Sequence, residues 1–396
     1  MKILIFNTFY SPNAIGGAEK SVQLIAEGLL ECGIQPVVVT TSDRDGVSIV
    51  NGIKVHYVRY RNVYWSLQSA VKKSYKKVMW HSVDIFNPLM LQKVKQIVDV
   101  EKPDVIHTNN ISGFSVAPWL VAKKLNIPVV HTLRDHNLLC VKSTMFREGA
   151  NCKKQCMSCS SITRLKKYLS NRNYIHTVVG ISNYMIHRHQ QFDYFKGVPL
   201  KRIVNGVIPK NEMIQDVVHP SDSSDLIFLY LGRIEESKGV NYLLEVFNGF
   251  PGARLMLGGE IYDKEIAHKK DNGYYSDNIT FLGYVNSDVV VKQADVMIVP
   301  SLLNEAFGRT IIEAYAWGKP VIGSNRGGIP EFIEHGRTGF IFNPDEQGGL
   351  EEIIRSLIID PSILLAMKER ISEYLLQFYI HETIRQYEQV YKEVLN

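Results

Sequence analysis

The sequence predicts an α/β protein built from two doubly wound domains. Short β-rich runs alternate with amphipathic segments along all 396 residues, which is typical of parallel sheets assembled from βαβ units. The alternation forms two series, and the chain between them is rich in turn-forming residues. The length also indicates two or three domains, at roughly 150 residues per domain.

Each of the two series contains five predicted buried strands. In the first series, the amphipathic segment 18–32 follows the first strand, as expected for the helix of a βαβ unit. Segment 239–247 has the same place in the second series. The predicted strands are 2–6, 36–40, 104–107, 128–132 and 176–180, followed by 226–231, 254–258, 278–282, 296–300 and 320–323.

The predicted domain boundary lies within residues 203–225. Asn205-Gly206, two prolines and a run of Ser and Asp at 221–225 cluster there. We therefore assign residues 1–205 and 206–370 to the two domains. Because ligands of open parallel sheets bind beyond the carboxyl ends of the strands, two such domains facing each other predict a central cleft.

Composition excludes several classes of protein. With 45% hydrophobic and 21% charged residues, the chain is neither disordered nor collagen-like, and five cysteines are too few for a disulfide scaffold. The N-terminus lacks the apolar region of a signal peptide, and no stretch of about 18 apolar residues occurs. We therefore expect a soluble, cytoplasmic protein.

The charge is divided unevenly between the halves of the chain. Residues 1–200 carry 26 Lys and Arg against 12 Asp and Glu, a net charge of +14, whereas the remainder carries 19 against 28, a net charge of −9. This asymmetry predicts that the first half faces an anionic partner. A phosphorylated ligand, a nucleic acid and an anionic membrane surface all fit.

The segment 301–320 carries the most informative motif. Glu305 follows the predicted strand 296–300 at the mouth of a helix predicted from about Gly308, and Glu313 lies inside that helix. Backbone N–H groups at a helix start suit a phosphate, and ionised carboxylates accept hydrogen bonds from sugar hydroxyls. Taken alone, Glu305 could equally cap the helix while Glu313 is an exposed helix residue.

Two cations follow the predicted strand 226–231. Arg233 and Lys238, each beside a glycine, would stand at the carboxyl end of that strand, where they could neutralise a diphosphate leaving group without a metal ion. The alternative is a solvated surface loop.

A glycine pair, Gly16-Gly17, follows the first strand and opens the first helix. Because no G-x-G-x-x-G pattern is present, dinucleotide binding is poorly supported. The pair either lets a ligand approach the backbone closely or only forms a turn.

The motifs at 16–19, 232–239 and 301–340 together resemble those of the retaining glycosyltransferases of family 4, which have the GT-B fold of two Rossmann-like domains facing a central cleft. The resemblance covers nearly the whole chain, and the run 301–340 is a specific signature. The matching residues are Gly16, Gly17 and Glu19; Gly232, Arg233, Lys238 and Gly239; Glu305, Phe307, Gly308 and Glu313; Gly327-Gly328-Ile329-Pro330-Glu331; and Gly336 with Thr338-Gly339-Phe340.

This resemblance implies transfer of a sugar from a nucleotide-sugar to an acceptor, with retained anomeric configuration and without a divalent metal. Arg233 and Lys238 would hold the donor diphosphate, and Glu305 would hold sugar hydroxyls. The family's last helix returns to the first domain, here as residues 371–396. The other implied donor contacts are Phe307, Gly308 and Thr310 around sugar and phosphate, Glu313 at the ribose, Val285 beside the base, and Gly16 and Gly17 at the phosphates.

The chain departs from the family at one position. Family members often read Thr-x-His-Asp after the strand beginning at residue 128, where this chain has Arg134 before Asp135. A guanidinium cannot act as a general base near neutral pH because its pKa lies above about 12, but it could bind an acceptor phosphate or the leaving group. Further acceptor-side candidates are His107, Asn109 and His131.

Four cysteines share one loop with the spacing C-x11-C-x3-C-x2-C: Cys140, Cys152, Cys156 and Cys159. Four thiolates can close a tetrahedral structural zinc site, although C-x11-C-x3-C is not a standard finger spacing. The alternative is a set of free thiols. No cofactor is expected for catalysis itself.

Two basic stretches in the first half predict docking on an anionic membrane surface. The alternative is a solvated helix face that packs on its own sheet. In residues 162–169 the cations are Arg164, Lys166 and Lys167. The first stretch has apolar Leu67, Val71, Tyr75, Val78 and Met79 on one face, Lys72, Lys73, Lys76 and Lys77 on another, and aromatic Trp65, Tyr75 and Trp80 interleaved.

The sequence therefore predicts a glycosyltransferase that moves sugar from a UDP-linked donor to a glycan or lipid-linked acceptor. We expect it to assemble a surface polysaccharide at the inner face of the cell membrane. One alternative is a metal-dependent GT-A transferase, for which Asp43-Arg44-Asp45 is a candidate metal motif. A carbohydrate- or phosphate-binding module without turnover is another, and a nucleic-acid binder lacks any recognition motif.

Overall fold

The computed structural model describes residues 1–13, 16–68, 74–210 and 225–396, and the chain divides into two compact units. Unit 1 comprises Met1–Met145, Lys153–Gly206 and Ile380–Asn396. Unit 2 comprises Phe146–Cys152 and Val207–Tyr379. Each unit is a doubly wound α/β structure, so the predicted fold class is confirmed.

Unit 1 is built on an eight-stranded sheet in the order β10-β9-β6-β5-β1-β2-β4-β3. All neighbouring strands are parallel except β3, which pairs antiparallel with β4. The strands are β1 (Lys2–Phe6), β2 (Gln35–Ser42), β3 (Gly46–Val50), β4 (Ile53–Arg59), β5 (Val105–Thr108), β6 (Val129–Leu133), β9 (Thr177–Gly180) and β10 (Leu200–Arg202); β7 and β8 belong to unit 2.

Seven helices surround this sheet within the described part of unit 1. The first begins at Gly17 because the Glu19 carboxylate accepts a hydrogen bond from the Gly16 backbone N–H at 2.9 Å, which caps the helix start. The helices are α1 (Gly17–Glu31), α2 (Ser74–Ile85), α3 (Pro88–Glu101), α4 (Ala117–Leu125), α5 (Met157–Ser170), α6 (Asn183–Gln191) and α13 (Ile380–Leu395).

Helix α13 returns to unit 1 and packs on α1. Its buried face includes Ile384, Tyr387 and Tyr391, which join the core under β1 and β2. A Cβ at Gly28 of α1 would lie 2.7 Å from the side chain of Ile384, so the helices approach this closely only because residue 28 is glycine. The predicted return of the last helix is thus present, beginning at Ile380 rather than at residue 371.

Unit 2 contains an all-parallel six-stranded sheet in the order β13-β12-β11-β14-β15-β16. A short antiparallel hairpin, β7 (Phe146–Arg147) with β8 (Ala150–Asn151), also belongs to this unit. The other elements are β11 (Leu226–Leu231), β12 (Ala253–Gly258), β13 (Ile279–Gly283), β14 (Val296–Val299), β15 (Val321–Ser324), β16 (Gly339–Phe342), α7 (Val240–Asn248), α8 (Lys264–Asp271), α9 (Ser287–Gln293), α10 (Arg309–Tyr315), α11 (Gly349–Ile359) and α12 (Ser362–Tyr374).

All ten predicted strands are present, with ends that differ by at most two residues from the prediction. The predicted boundaries differ from the structure at two places. Residues 371–379 belong to unit 2 rather than to the segment that returns to unit 1, and residues 146–152 form a hairpin of unit 2 within the first half of the chain. Part of the predicted linker, 211–224, lies outside the described residues. No helix in the described ranges is both long enough and apolar enough to cross a membrane.

Candidate functional site

The strand order of each sheet reverses at one strand. In unit 2, β11 lies between β12 and β14; in unit 1, β1 lies between β2 and β5. Such a reversal leaves a crevice at the carboxyl ends of the strands, where doubly wound proteins bind their ligands. Arg233, Lys238 and Glu305 lie on the loops that follow β11 and β14, at that reversal.

The two loops of unit 2 are locked together by a glycine and by backbone hydrogen bonds. Gly239 has φ +72°, and a Cβ there would lie 1.9 Å from the carbonyl oxygen of Pro300. The backbone N–H groups of Leu302 and Leu303 both donate to the carbonyl oxygen of Ser237, at 3.1 and 2.9 Å. The loop after β11 therefore holds the start of the loop after β14 in place.

Lys238 and Glu305 form the centre of the candidate site. The Lys238 Nζ lies 2.6 Å from the Glu305 Oε1, and the side chains are only 20% and 18% exposed. The Ser301 hydroxyl donates to the same carboxylate oxygen at 2.7 Å. Burial alone would raise the pKa of the Glu305 carboxyl, but the Lys238 ammonium and the hydrogen bonds from Lys238 and Ser301 hold it below its usual value.

Arg233 adds a second, more exposed cation. Its Nη2 lies 3.1 Å from the Glu235 carboxylate, and its side chain is 53% exposed. The Tyr230 hydroxyl fixes the backbone by donating to the Arg233 carbonyl oxygen at 2.6 Å, while the guanidinium contributes to the field at Glu305. The predicted trio of Arg233, Lys238 and Glu305 is thus electrostatically coupled in one place.

The loop after β14 presents its backbone rather than its apolar side chains. Phe307 is buried, with its ring centroid 4.2 Å from that of Phe332. Gly308 adopts φ +84° immediately before α10, which begins at Arg309, close to the predicted start. Glu313 on α10 accepts a hydrogen bond from Arg309 Nε at 3.0 Å, and Thr310 is half-buried in the first turn.

Val285, predicted to lie beside the base, follows the end of β13. A Cβ on Gly258, the last residue of β12, would lie 2.7 Å from a Val285 methyl group. This position places Val285 at the carboxyl edge of the sheet, two strands away from β11.

Two features of unit 2 support the Glu305 loop and were not predicted from the sequence. The Asn151 side chain in the β7–β8 hairpin donates to the Leu302 carbonyl oxygen at 2.7 Å and accepts from the Asn304 N–H at 2.8 Å. Gly327 has φ +59°, and a Cβ there would lie 2.3 Å from the Glu305 carbonyl oxygen. The glycine pair at 327–328 was visible in the sequence, whereas nothing in the sequence linked Asn151 to this loop.

In unit 1, Arg134 is a buried cation at the end of β6. Its Nε donates to Asn109 at 2.6 Å and its Nη1 donates to Asn205 at 2.7 Å, while Nη2 has no hydrogen-bond partner among the described residues. Burial lowers the pKa of the guanidinium, which the charge of Glu19 partly offsets. The Asn205-Gly206 pair, read from the sequence as part of a linker, therefore anchors this arginine.

Gly16 and Gly17 lie at the start of α1. Burial raises the pKa of the Glu19 carboxyl in this helix; the charge of Asp135 raises it further, and the charge of Arg134 lowers it. The Asp135 carboxylate accepts from the Asn110 side chain at 2.6 Å and the Asn137 N–H at 2.8 Å, and burial raises the pKa of its carboxyl group. These residues share the carboxyl edge of the unit 1 sheet.

The two predicted acceptor histidines are core residues. His107 is fully buried, with Nε2 2.8 Å from the Thr132 hydroxyl and Nδ1 2.7 Å from the Tyr391 hydroxyl. His131 is equally buried, with Nδ1 2.8 Å from the Thr108 hydroxyl. Burial lowers the pKa of both imidazoles, to about 3 for His131. Buried strand positions and local hydrogen bonds give these rings a structural role and argue against contact with an acceptor.

A cavity of about 300 Å³, here called the unit 1 cavity, opens at the reversal between β1 and β5. At its wall, the Lys166 Nζ lies 3.4 Å from an Asp84 carboxylate oxygen, and both side chains are about 5% exposed. Burial raises the pKa of the Asp84 carboxyl, although the Lys166 charge and the Gly113 N–H oppose this shift. The lining residues also include Thr8, Phe9, Tyr64, Ser66, Trp80, Asn110, Ser112 and Cys140.

The four loop cysteines are divided by the structure. Cys140, Cys156 and Cys159 belong to unit 1, whereas Cys152 belongs to unit 2. Within the described residues, no group of three or more His, Cys, Asp or Glu side chains is arranged to hold a metal ion. The zinc site therefore stays a prediction without a ligand set in the structure.

The basic stretches form helices, but several of their predicted surface residues are buried. Trp65 and Trp80 are 6% and 8% exposed, and their ring N–H groups donate to Thr41 and to the Tyr64 carbonyl oxygen. Lys166 is buried against Asp84, as described above. Tyr75, Val78, Met79, Lys76 and Lys77 of α2 are exposed, whereas Val71, Lys72 and Lys73 lie outside the described residues.

Two doubly wound units, each with its own site at a strand-order reversal, define the class of the protein as a GT-B fold. Residues 212–375 match the family described as Glycosyl transferases group 1, and residues 16–191 match the Glycosyl transferase 4-like domain. The chain belongs to the group 1 glycosyltransferases with the GT-B fold, and is thus a transferase. The GT-A alternative is therefore wrong, and Asp45 of its candidate motif pairs with Arg61 at 2.8 Å.

Three known proteins illustrate this likeness. A Klebsiella pneumoniae protein, described as an uncharacterized 42.6 kDa protein in the cps region, is 33% identical over 84% of this chain and 87% of its own length. Sucrose-phosphate synthase from Thermosynechococcus elongatus has a TM-score of 0.77 at 19% identity, covering 99% of this chain and 98% of that chain. Anabaena Alr3699/HepE in complex with UDP has a TM-score of 0.74 at 20% identity, covering 99% and 100%.

Proposed function

We propose that the protein transfers a sugar from a UDP-linked donor to a glycan or lipid-linked acceptor during assembly of a surface polysaccharide. The observation that carries the proposal is the Lys238–Glu305 pair at the strand-order reversal of unit 2. A UDP complex of a protein with the same fold supports the choice of nucleotide, and the cps-region description of the Klebsiella relative supports the polysaccharide context.

The donor diphosphate would bind to Arg233 and Lys238. An ammonium has three N–H donors, and the 2.6 Å contact with Glu305 occupies one of them, so Lys238 can hold the carboxylate and a phosphate oxygen together. Glu305 is ionised and can accept hydrogen bonds from sugar hydroxyls through its remaining lone pairs. The two cations would then stabilise the charge that develops on the departing UDP, which makes a divalent metal unnecessary.

Retention of the anomeric configuration is part of the same proposal. The acceptor hydroxyl must lose a proton as it attacks, and Arg134 remains protonated near neutral pH. His107 and His131 are fully buried and hydrogen-bonded within the core. We therefore assign proton uptake to a phosphate oxygen of the leaving UDP, which requires the acceptor to attack from the face that UDP leaves.

The unit 1 cavity is the proposed acceptor pocket. Phe9, Tyr64 and Trp80 supply aromatic surface for the C–H face of a sugar ring. The buried Asp84–Lys166 pair places a hydrogen-bond acceptor and a donor on the same wall. Apolar walls with a few fixed polar groups are the usual composition of a small-molecule site.

Helix α2 supports docking of unit 1 on an anionic membrane, where a lipid-linked acceptor would be found. Tyr75, Val78 and Met79 occupy one helix face at spacings of three and four residues, and each is more than half exposed. Lys76 and Lys77 are exposed on the same turn of the helix. An exposed apolar face bordered by lysines suits the boundary between headgroups and acyl chains.

Transfer assays with two variants test the proposed function. Lys238→Ala and Glu305→Gln should each lower sugar transfer about 100- to 1,000-fold, because each removes one preorganised partner of the donor. The matched controls are Lys269→Ala and Glu265→Ala, which break a surface pair on α8 and should keep wild-type turnover. UDP release that depends on acceptor, and a product with the donor's anomeric configuration, are the measurements.

Three outcomes of this assay would count against the proposal. Wild-type turnover in both site variants would remove the site assignment. Donor binding without any UDP release would favour the binding-module alternative. Loss of transfer on chelation with EDTA would contradict the metal-free mechanism.

A further inference from the structure

Three thiols of unit 1 are linked at the start of α5. Cys156 is the residue immediately before the helix, and Cys159 is its third residue. The Cys159 thiol shares side-chain hydrogen bonds with Cys156 on one side and with Cys140 on the other. Neither the transfer mechanism nor the acceptor pocket uses the Cys156–Cys159 pair.

The position of the two cysteines on the helix brings their side chains together. The residue before a helix and the third residue inside it face each other, as in the reciprocal hydrogen bonds of a capping box. Here both positions carry thiols rather than the usual hydroxyl and carboxylate. The two sulfur atoms are thus neighbours at one end of the helix.

The two thiols differ in the way that thiol–disulfide exchange requires. Cys156 is exposed, and its thiol lies 3.1 Å from the Ser158 hydroxyl. The backbone N–H groups of Ser158 and Cys159 also hydrogen-bond this thiol at the helix start, an arrangement that stabilises a thiolate. The Cys159 thiol, in contrast, is buried, at 7% exposed. An exposed thiolate can attack an external disulfide, and a buried neighbouring thiol can then resolve the product.

We propose that Cys156 and Cys159 form a thiol–disulfide exchange site that reacts with low-molecular-weight disulfides. The Cys156 thiolate attacks one sulfur of the small disulfide, forms a mixed disulfide and releases one thiolate. Cys159 then loses its proton and attacks the Cys156 sulfur, which forms the Cys156–Cys159 disulfide and releases the second thiolate. Two protein thiols are oxidised and one small disulfide is reduced to two thiols.

The modification would change a wall of the unit 1 cavity. Cys140 lines that cavity and shares its hydrogen bond with Cys159. Once Cys159 is joined to Cys156, it has no thiol hydrogen to share with Cys140. Oxidation of the Cys156–Cys159 pair would therefore change the hydrogen bonding of a residue that lines the cavity. It would do so without direct contact between the small disulfide and a ligand bound in the cavity.

Glutathione disulfide is the probe for the test, with alkylation of the remaining thiols and peptide mass spectrometry as the measurement. The wild-type protein should form the Cys156–Cys159 disulfide and keep no glutathione. Cys159→Ser should keep one glutathione on Cys156, and Cys156→Ser should leave Cys159 reduced. Cys32, the other exposed cysteine, follows the C-terminal end of α1 and serves as the internal control, with at least tenfold slower reaction expected.

Several results would overturn the proposal. Cys156 reacting no faster than Cys32, or a stable mixed disulfide on the wild-type protein, would do so. A disulfide that joins Cys159 to Cys140, or Cys156 to Cys152, would show that Cys156–Cys159 is not the reactive pair. Stoichiometric Zn²⁺ in the purified protein that shields both thiols from glutathione disulfide would replace the exchange site with a metal site.

Discussion

Gly239 shows how a single residue controls the position of the Lys238–Glu305 pair. Its left-handed backbone, at φ +72°, turns the chain directly after Lys238 and brings it against the Pro300 carbonyl oxygen. Any side chain here meets two obstacles, the unfavourable φ and the overlap with the backbone that leads to Glu305. The residue beside the lysine is therefore as constrained as the lysine itself.

Gly239→Ala should lower the free energy of unfolding by more than about 4 kcal/mol, because backbone strain of about 1–3 kcal/mol adds to the 1.9 Å overlap. Gly273→Ala is the matched control, since Gly273 has φ +66° but a Cβ there would meet no atom within 4 Å. Gly273→Ala should lower the free energy of unfolding only by the backbone strain of about 1–3 kcal/mol. Urea unfolding measures both, and equal losses in the two variants would show that the loop contact is unimportant.

The placement of Lys238 and Glu305 at one edge of a sheet could be predicted from the sequence, but most of the contacts of the candidate site residues could not. Lys238 and Glu305 could be identified because each follows a predicted strand within a few residues. Residues that follow neighbouring parallel strands meet at one edge of the sheet. Their 2.6 Å contact depends on side-chain geometry that no spacing specifies. The anchoring of Arg134 by Asn205 joins residues 71 positions apart, so it was equally inaccessible.

At the scale of elements, α2 combines a structural and an exposed face. Trp80 and Asp84 turn inward, where Trp80 donates to the Tyr64 carbonyl oxygen and Asp84 pairs with Lys166 of α5. Val78 and Met79 remain exposed on the outer face. The helix thus attaches firmly to unit 1 while presenting an apolar surface with lysines beside it.

Val78→Glu should weaken binding to anionic vesicles about tenfold or more. The change removes roughly 1.5 kcal/mol or more of apolar burial and places a negative charge against the lipid headgroups. Vesicle co-sedimentation with phosphatidylserine-containing and purely zwitterionic lipids is the measurement. Val100→Glu on α3, where the valine is 70% exposed, is the control and should bind like the wild type. Equal binding by both variants would exclude α2 as the docking face.

Strands could be predicted where burial on both faces gives a continuous apolar run in the sequence. The exposed edge strand and the very short strands lack such a run and were missed. Buried central strands read as continuous apolar runs, so β1 and β11 were predicted to the residue. The edge strand β3 is largely exposed, and its hairpin with β4 turns at Asn51-Gly52, with φ of 49° and 79°. Asn-Gly is a strong hairpin signal that was available in the sequence. The two-residue strands β7 and β8 left no pattern to detect.

At the scale of the whole molecule, unit 1 buries a set of histidines in neutral form. Burial lowers the pKa of each imidazole, to about 3 for His131 and His136 and to about 4 for His189, and well below the usual value for His107. In the unfolded chain the same rings titrate near their ordinary pKa of about 6.5. The unfolded state therefore binds more protons than the folded state between about pH 6.5 and pH 3.

The stability of unit 1 should consequently fall as the pH is lowered from about 6.5 toward 4. Each histidine contributes about 1.4 kcal/mol per pH unit in this window. Glu19, Asp84 and Asp135 act in the opposite direction, because burial raises the pKa of all three carboxyl groups, but they are fewer than the four histidines. Thermal unfolding across this range is the measurement, and a melting temperature that stays constant down to pH 4.5 would contradict the account.

The proposed function requires that unit 2 binds a nucleoside diphosphate at Lys238. Titration calorimetry with UDP measures this directly and needs neither the donor sugar nor the acceptor. We predict that the wild type and Lys269→Ala bind UDP with the same dissociation constant, and that Lys238→Ala binds about tenfold or more weakly, since a charge-assisted hydrogen bond contributes roughly 1.5–3 kcal/mol. Equal affinity of Lys238→Ala and the wild type for UDP would contradict it.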